Sequence, residues 1–136
     1  MIVRTFHFFD YDAVIALWQR AGIQVSQSDS VERLRHKLER DPELFLVAIH
    51  EEQIVGAVMG SYDGRRGWVN HLAVDPSYQG NQLGKIIMAE LEKRFKSIGC
   101  EKVNLLIERD NEAVQGFYEK NGFASDDLIF MEKWIR

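Results

Sequence analysis

The sequence predicts a mixed α/β domain in which an antiparallel meander of strands leads into a strand–helix–strand crossover. Three observations predict it. Apolar runs at Leu44–Ile49, Ile54–Met59 and Trp68–Val74 are short and divided by turn-forming residues, the pattern of hairpin-linked strands. Leu83, Ile87, Leu91, Phe95 and Ile98 recur at helical spacing and mark a long amphipathic helix. Val103, Leu105 and Ile107 then alternate with Asn104, Leu106 and Glu108, which is the period of a strand. A strand before that helix and another after it make a crossover.

The remaining elements follow in order. Ile2 to Phe8 reads as a first strand. Asp10 caps a helix that runs to about Arg20, with Val14, Ile15, Trp18 and Ala21 on its inner side, and Gly22 ends it. Gln24 to Ser30 is polar and loop-like. Asp29 with Glu32 resembles a capping box; Val31, Leu34 and Leu38 form the stripe of a second helix that Pro42 stops. His50–Gln53 and Asp63–Gly67 read as turns. Glu90–Arg94 and Glu92–Lys96 decorate the wet side of the third helix, which Gly99 closes. Asn111 to Asn121 is a short fourth helix ending at Gly122, and Leu128 to Ile135 reads as a final strand.

Bulk properties bound the function. The chain has 136 residues, one ordinary domain spanning 1–136. Its net charge is −4 with no long basic run, which argues against nucleic-acid binding because phosphate neutralisation needs clustered Lys and Arg. Cys100 is the one cysteine, so no intrachain disulfide forms. A lone cysteine and an opening too short and polar for a secretory leader fit the cytoplasm. No apolar run approaches the roughly 18 residues of a membrane span.

Val69 to Gly84 carries the main functional signal. An apolar strand runs into Asp75-Pro76, a Gln79–Gly84 turn follows, and a helix opens with Lys85. A strand that passes through a glycine-bearing turn into a helix leaves several backbone N–H groups unpaired and aimed one way. The helix dipole adds partial positive charge there, so the turn suits an anion such as a pyrophosphate.

Two motifs give the chain a resemblance to the GCN5-related N-acetyltransferase (GNAT) superfamily. Gln79-Gly80-Asn81-Gln82-Leu83-Gly84 is similar to that family's acetyl-coenzyme A loop, with Gln79 in its first position and Gly84 in its last. Asn111 to Phe123, with Ala113, Phe117, Tyr118 and Gly122 at matching places, resembles a second family motif. A helix and a strand separate the two, as in the family, and the likeness covers nearly the whole chain. It implies a mostly antiparallel sheet of six to seven strands with a splayed strand pair, flanked by about four helices. It also implies acetyl-CoA as co-substrate, no metal, an amine acceptor, and the possibility of a homodimer. One departure stands out. Gln82 occupies the place of the family's middle glycine, where absence of a side chain lets backbone approach a phosphate. A glutamine serves there with negative φ in the first helical turn and its side chain pointing away.

The resemblance distributes roles. Gly80, Asn81, Gln82, Leu83, Gly84 and Lys85 hold the diphosphate with Gln79. Leu72, Ala73 and Val74 line the acyl arm, with a backbone N–H near Ala73 or Val74 polarising the carbonyl, on a strand that in the family carries a bulge. Tyr118 is the general acid for the leaving sulfur, beside Phe117; outside the motif it would read as a core tyrosine. Asn111 caps its helix and, by resemblance, reaches the pantetheine arm or ordered water.

The base is open between His71, a residue type suited to general-base work, a water relay ending on a carboxylate, and Glu108. His71 reads equally well as a satisfied structural histidine, and strand alternation puts Asn70 on the opposite face unless a bulge intervenes. Cys100 reads as packing, which favours direct attack by the amine over an acyl-enzyme. Arg65 and Arg66 read as a solvated turn and Trp18 as core. Gly22 to Ser30 resembles the family's variable acceptor lid. The expected activity is acetyl transfer from acetyl-CoA to a primary amine, small or peptidyl. The alternatives are a non-catalytic coenzyme A sensor and an interaction module that uses the fold as a scaffold.

Overall fold

A computed structural model describes residues 1–80 and 82–136. They form two compact units, Met1–Leu106 and Ile107–Arg136. In the first, β1 (Ile2–Thr5), β2 (Phe45–His50), β3 (Gln53–Tyr62), β4 (Gly67–Val74) and β5 (Val103–Leu105) make one sheet in that spatial order. The first four strands are antiparallel neighbours and β5 lies parallel to β4. Helices α1 (Tyr11–Arg20), α2 (Val31–Arg40) and α3 (Leu83–Ser97) belong to the same unit.

The sheet has five strands among the described residues, not the six to seven expected. Leu128 to Ile135 carries no strand, and Leu128, Ile129, Phe130, Met131, Trp134 and Ile135 are exposed. An apolar run records a side-chain pattern only; a strand also needs a neighbouring backbone to take its N–H and C=O groups. Likewise β5 pairs over Val103–Leu105 only, although the alternation continues to Glu108.

Each face of the sheet has its own core. Toward α1 and α2, Phe45, Val47, Ala57, Met59 and Ala73 meet Phe6, Val14, Leu17, Trp18 and Leu34. The Phe6 ring stacks on Phe45 at 4.2 Å between centroids. Toward α3 the sheet is shaved to glycine. A Cβ on Gly56 would stand 2.5 Å from Ile87 Cδ1, and one on Gly60 would stand 2.8 Å from Leu91 Cδ1 and 2.9 Å from Phe95 Cζ. The missing side chains let α3 lie close enough to bury Ile87, Leu91 and Phe95 fully, each worth about 1.5–3 kcal/mol of apolar transfer.

Polar ties fix the helices. Lys37 bonds Asp41 at 2.8 Å, Ser61 Oγ at 3.1 Å and the Gly60 carbonyl, joining α2 to β3. Arg94 of α3 donates to Thr5 Oγ1 at 2.6 Å and to the Glu43 carbonyl at 3.0 Å.

In the second unit, α4 (Glu112–Lys120) starts at Asn111, whose Oδ1 accepts from Val114 N at 3.2 Å. The helix stops where Gly122 takes φ +92°, a left-handed conformation that costs glycine little.

Candidate functional site

The site begins with a defect in β4. Ala57 pairs with Ala73 and Met59 with Asn70, so Val58 alone opposes His71 and Leu72. This is a β-bulge, and His71 sits in it at φ +53°. The bulge resets the alternation. Asn70 lies opposite Met59 on the α1/α2 face, and His71 turns to that same face, its ring 4.8 Å from Trp18 at 76°. Plain alternation had separated the two residues.

The bulge delivers His71 to Asp29. Nε2 lies 3.2 Å from Oδ1 and 3.4 Å from Oδ2 of that buried carboxylate. Asp29 is the residue that the sequence reading placed in the wrong role. Ser30, not Asp29, caps α2, accepting from Arg33 N at 3.3 Å. Asp29 instead closes a short 3-10 turn (Gln27–Asp29) by accepting from Ser26 N at 3.1 Å. The spacing Ser26-x-x-Asp29 was the available signal.

Beyond the bulge, β4 has no ladder partner on its β5 side among the described residues. Pairing with β5 stops at Val69–Leu105 while β4 runs on to Val74. Asp75 N donates to the Val55 carbonyl at 2.8 Å. In an antiparallel ladder N–H directions alternate, so Ala73 N–H also points at β3 and Val74 N–H points to the side where β5 has ended. Of the two carbonyl-polarising donors considered, the ladder consumes Ala73 and leaves Val74.

The turn into α3 follows. Asp75 accepts from Ser77 N and Arg20, both at 2.9 Å; the Ser77 backbone N–H first, then the Ser77 side chain and Arg20, hold its carboxyl below the usual range. Pro76–Tyr78 is a 3-10 turn, Gln79 is extended and Gly80 takes φ +88°. Asn81 lies outside the described residues. Gln82 is the N-cap of α3 at φ +58°, ψ 20°, which reverses the expected negative φ. The turn needs a left-handed residue there, as the family glycine would supply, and the helix begins only at Leu83. Ile86 N is the first to close on a helical carbonyl, that of Gln82, at 3.1 Å. Helix geometry therefore gives the N–H groups of Leu83, Gly84 and Lys85 no partner within α3. No acidic residue stands in this first turn, so nothing there repels an anion.

In the second unit, Tyr118 is buried, with Phe117 and Phe123 edge-on at 5.1 and 5.3 Å. Burial pushes its phenol up to about 12, so it holds its proton throughout the neutral range. Asn111 keeps its capping role and Asn121 Nδ2 donates to the Phe117 carbonyl at 2.8 Å. Cys100 packs near Gly67, where an added Cβ would come within 3.0 Å of its sulfur. Arg65 and Arg66 sit on the hairpin tip, their backbone N–H groups both on Asp63 Oδ1 at 2.8 Å. Among the described residues no cluster of three or more His, Cys, Asp or Glu is arranged to hold a metal, and no helix is long and apolar enough to cross a membrane.

A bulged strand thus runs through a glycine turn into a helix whose N-cap side chain makes no capping bond. Residues 11–123 match the family model described as the acetyltransferase (GNAT) family. The chain belongs to that family. An acetyltransferase of Pectobacterium atrosepticum is 40% identical over 133 residues, covering 98% of this chain and 94% of the relative. Two solved GNAT structures share the fold. A PaiA N-acetyltransferase from Thermoplasma acidophilum in complex with coenzyme A aligns at TM-score 0.84, with 23% identity over 94% of this chain and 92% of that one. An aminoglycoside 6'-N-acetyltransferase from Acinetobacter haemolyticus aligns at TM-score 0.82, with 14% identity over all of both chains. As a GNAT protein this chain is an acyltransferase.

Proposed function

We propose that this GNAT enzyme transfers an acetyl group from acetyl-CoA to a primary amine, of a small molecule or a peptide, by direct attack through a tetrahedral intermediate. The observation that carries the reading is the β4 edge: a backbone N–H at Val74 facing away from its ladder, one short turn before the open N-terminus of α3. The diphosphate of the co-substrate fits the N–H groups of Leu83, Gly84 and Lys85, with Gly80, Gln82 and Gln79 around them. The acyl arm runs along Leu72–Val74, and Val74 N–H polarises the thioester carbonyl as a single-donor oxyanion hole.

The amine must lose a proton to attack. His71 stands at the bulge on the face where it meets Asp29 and where Ile23 and Val25 pack, and is the base in this reading. The amine nitrogen bonds to the carbonyl carbon, the C–S bond breaks, and an amide and a free thiol result. By the match of its motif, Tyr118 serves the departing sulfur. A phenol at about 12 is a weaker acid than an ordinary thiol near 8.5, so full transfer to a thiolate is uphill. Tyr118 therefore acts by hydrogen bonding to charge as it builds on sulfur, and solvent supplies the final proton. Cys100, packed against Gly67 and donating to the Lys102 carbonyl at 3.4 Å, has no histidine partner, which supports direct attack.

The test is incubation with acetyl-CoA and a panel of amines, read by thiol release, beside a thermal melt with acetyl-CoA alone. Amine-dependent thiol release with a raised melting temperature supports the reading. A raised melting temperature without release on any amine assigns a coenzyme A-binding role with no transfer. No shift at all removes the co-substrate.

A further inference from the structure

We infer that Asp29 is a positioning residue for His71, fixing the ring's tautomer so that Nδ1 is the nitrogen left to take the amine's proton. The inference rests on the acetyl-transfer reading, in which His71 is the base.

An ionised carboxylate only accepts hydrogen bonds. The Asp29 oxygens stand 3.2 and 3.4 Å from Nε2, so that nitrogen carries the ring's hydrogen. A neutral imidazole has one N–H, and placing it on Nε2 leaves the Nδ1 lone pair open. The carboxylate is itself held. Oδ2 accepts from Ser26 N at 3.1 Å, and the Tyr11 hydroxyl donates to the Asp29 main-chain carbonyl at 2.8 Å. Its side chain is 4% exposed, against 29% for His71. Asp29 is thus anchored and dry while the ring it holds reaches solvent, the division expected of a supporting group and a working one. Trp18 presses on the ring from α1 and limits its rotation.

The backbone points the same way. His71 takes φ +53°, a region that costs a side-chain-bearing residue about 1–2 kcal/mol. Unbulged alternation would send its side chain to the α3 face, away from Asp29. Strain of this kind persists where the surrounding structure over-determines it and gathers at functional positions.

The experiment combines imidazole ¹⁵N NMR on histidine-labelled protein, at a pH where the ring is neutral, with kinetics of His71→Ala, Asp29→Asn and Tyr11→Phe. In the unmodified enzyme the Nε2–H tautomer is expected to dominate. Asparagine can donate as well as accept, so Asp29→Asn lets the Nδ1–H form appear. Its kcat then falls by about tenfold or more, with KM for acetyl-CoA within about twofold. Tyr11→Phe spares the carboxylate and gives a smaller change in the same tautomer ratio, which serves if Asp29→Asn does not fold. An Nδ1–H ring in the unmodified enzyme overturns the inference. So does an Asp29→Asn enzyme with full kcat when His71→Ala has lost it. Full turnover by His71→Ala instead removes the base assignment itself, and silence of the unmodified enzyme toward every amine removes the parent reading.

Discussion

Against α3, the sheet of this GNAT enzyme offers Gly56 and Gly60 to Ile87, Leu91 and Phe95, a contact made by shape alone. Against α1 and α2, the same strands meet a layer that also contains the buried carboxylates Asp10, Asp29 and Asp41 and a Trp18 Nε1 with no hydrogen-bond partner among the described residues. The first face holds a helix still. The second carries polar groups that burial penalises unless each is paired, and the proposed base is among them. On the proposed reading, stability and chemistry are separated across one sheet by the two-residue period of its strands. The bulge at His71 breaks that period in β4 and moves a histidine from the first kind of face to the second.

The sharpest way to break this comparison is a pair of substitutions, one per face. His71→Ala is expected to lower kcat by about 10²–10⁴-fold, the usual worth of a positioned base, while Asp29 keeps its Ser26 N bond and the melt reads what the lost Nε2 contact was worth. The readout is steady-state thiol release beside a urea melt. Gly60→Ala is expected to do the reverse. Its Cβ must displace Leu91 and the Phe95 ring and sits 3.3 Å from the Leu44 carbonyl, an overpacking cost of about 1–3 kcal/mol. Below its own melting temperature it keeps turnover. Equal loss of activity in both variants would mean that the faces are coupled and the division of labour is wrong.

The sequence makes the division half visible. Leu83, Ile87, Leu91 and Phe95 follow a helical period because a single surface buries them all, and all four are buried. The β2 and β3 runs are legible for the same reason. Leu17 of α1 escaped the stripe read from Val14, Ile15 and Trp18, and it is fully buried. Ile98, assigned to the α3 stripe, lies at the C-cap and is exposed. What periodicity cannot report is a change of period. The bulge has no glycine to mark it, since His71 itself takes the positive φ. At the hairpin, Glu51 and Glu52 likewise adopt φ +49° and +65° with no Asn or Gly between them. Asp29 was legible as a cap, but which turn it caps depends on Ser30 lying one residue closer to α2. The Gln79–Gly84 loop was legible as a motif, while the handedness of Gln82 was not, because side-chain identity favours one φ and the turn demands the other.

Gln82 sharpens the α3 side. Holding glutamine at φ +58° costs about 1 kcal/mol relative to glycine, and the greater freedom of glycine in the unfolded chain offsets part of that. Gln82→Gly is therefore expected to leave the melting temperature nearly unchanged. It removes a side chain from the mouth of α3, and the dissociation constant for acetyl-CoA, read by calorimetry, is expected to fall by a few fold. A weaker complex would mean that the Gln82 side chain supplies a contact of its own.

The smallest effect tests the polar face by acid. Burial alone would raise the Asp10 carboxyl, but Arg4, at 2.8 and 3.0 Å, and His7 N–H, at 2.9 Å, outweigh it and hold the group below its ordinary value. The folded-state pKa is depressed, so the unfolded chain takes up its proton first as pH falls. Asp10 thus contributes stability in full above about pH 4, and loses it as pH drops through the folded value. Urea midpoints at pH 7 and pH 3 are expected to differ less in Asp10→Asn than in the unmodified protein, by under about 1 kcal/mol for a partly exposed pair. Amide exchange at pH 3 locates the loss. Protection should fall in β1 and α1 before it falls in α3, because the buried carboxylates lie on the α1/α2 layer while Ile87, Leu91 and Phe95, packed under α3, do not titrate. Simultaneous loss on both sides would show that acid acts on the molecule as a whole, and that the two faces share a stability which their contrasting contacts do not divide.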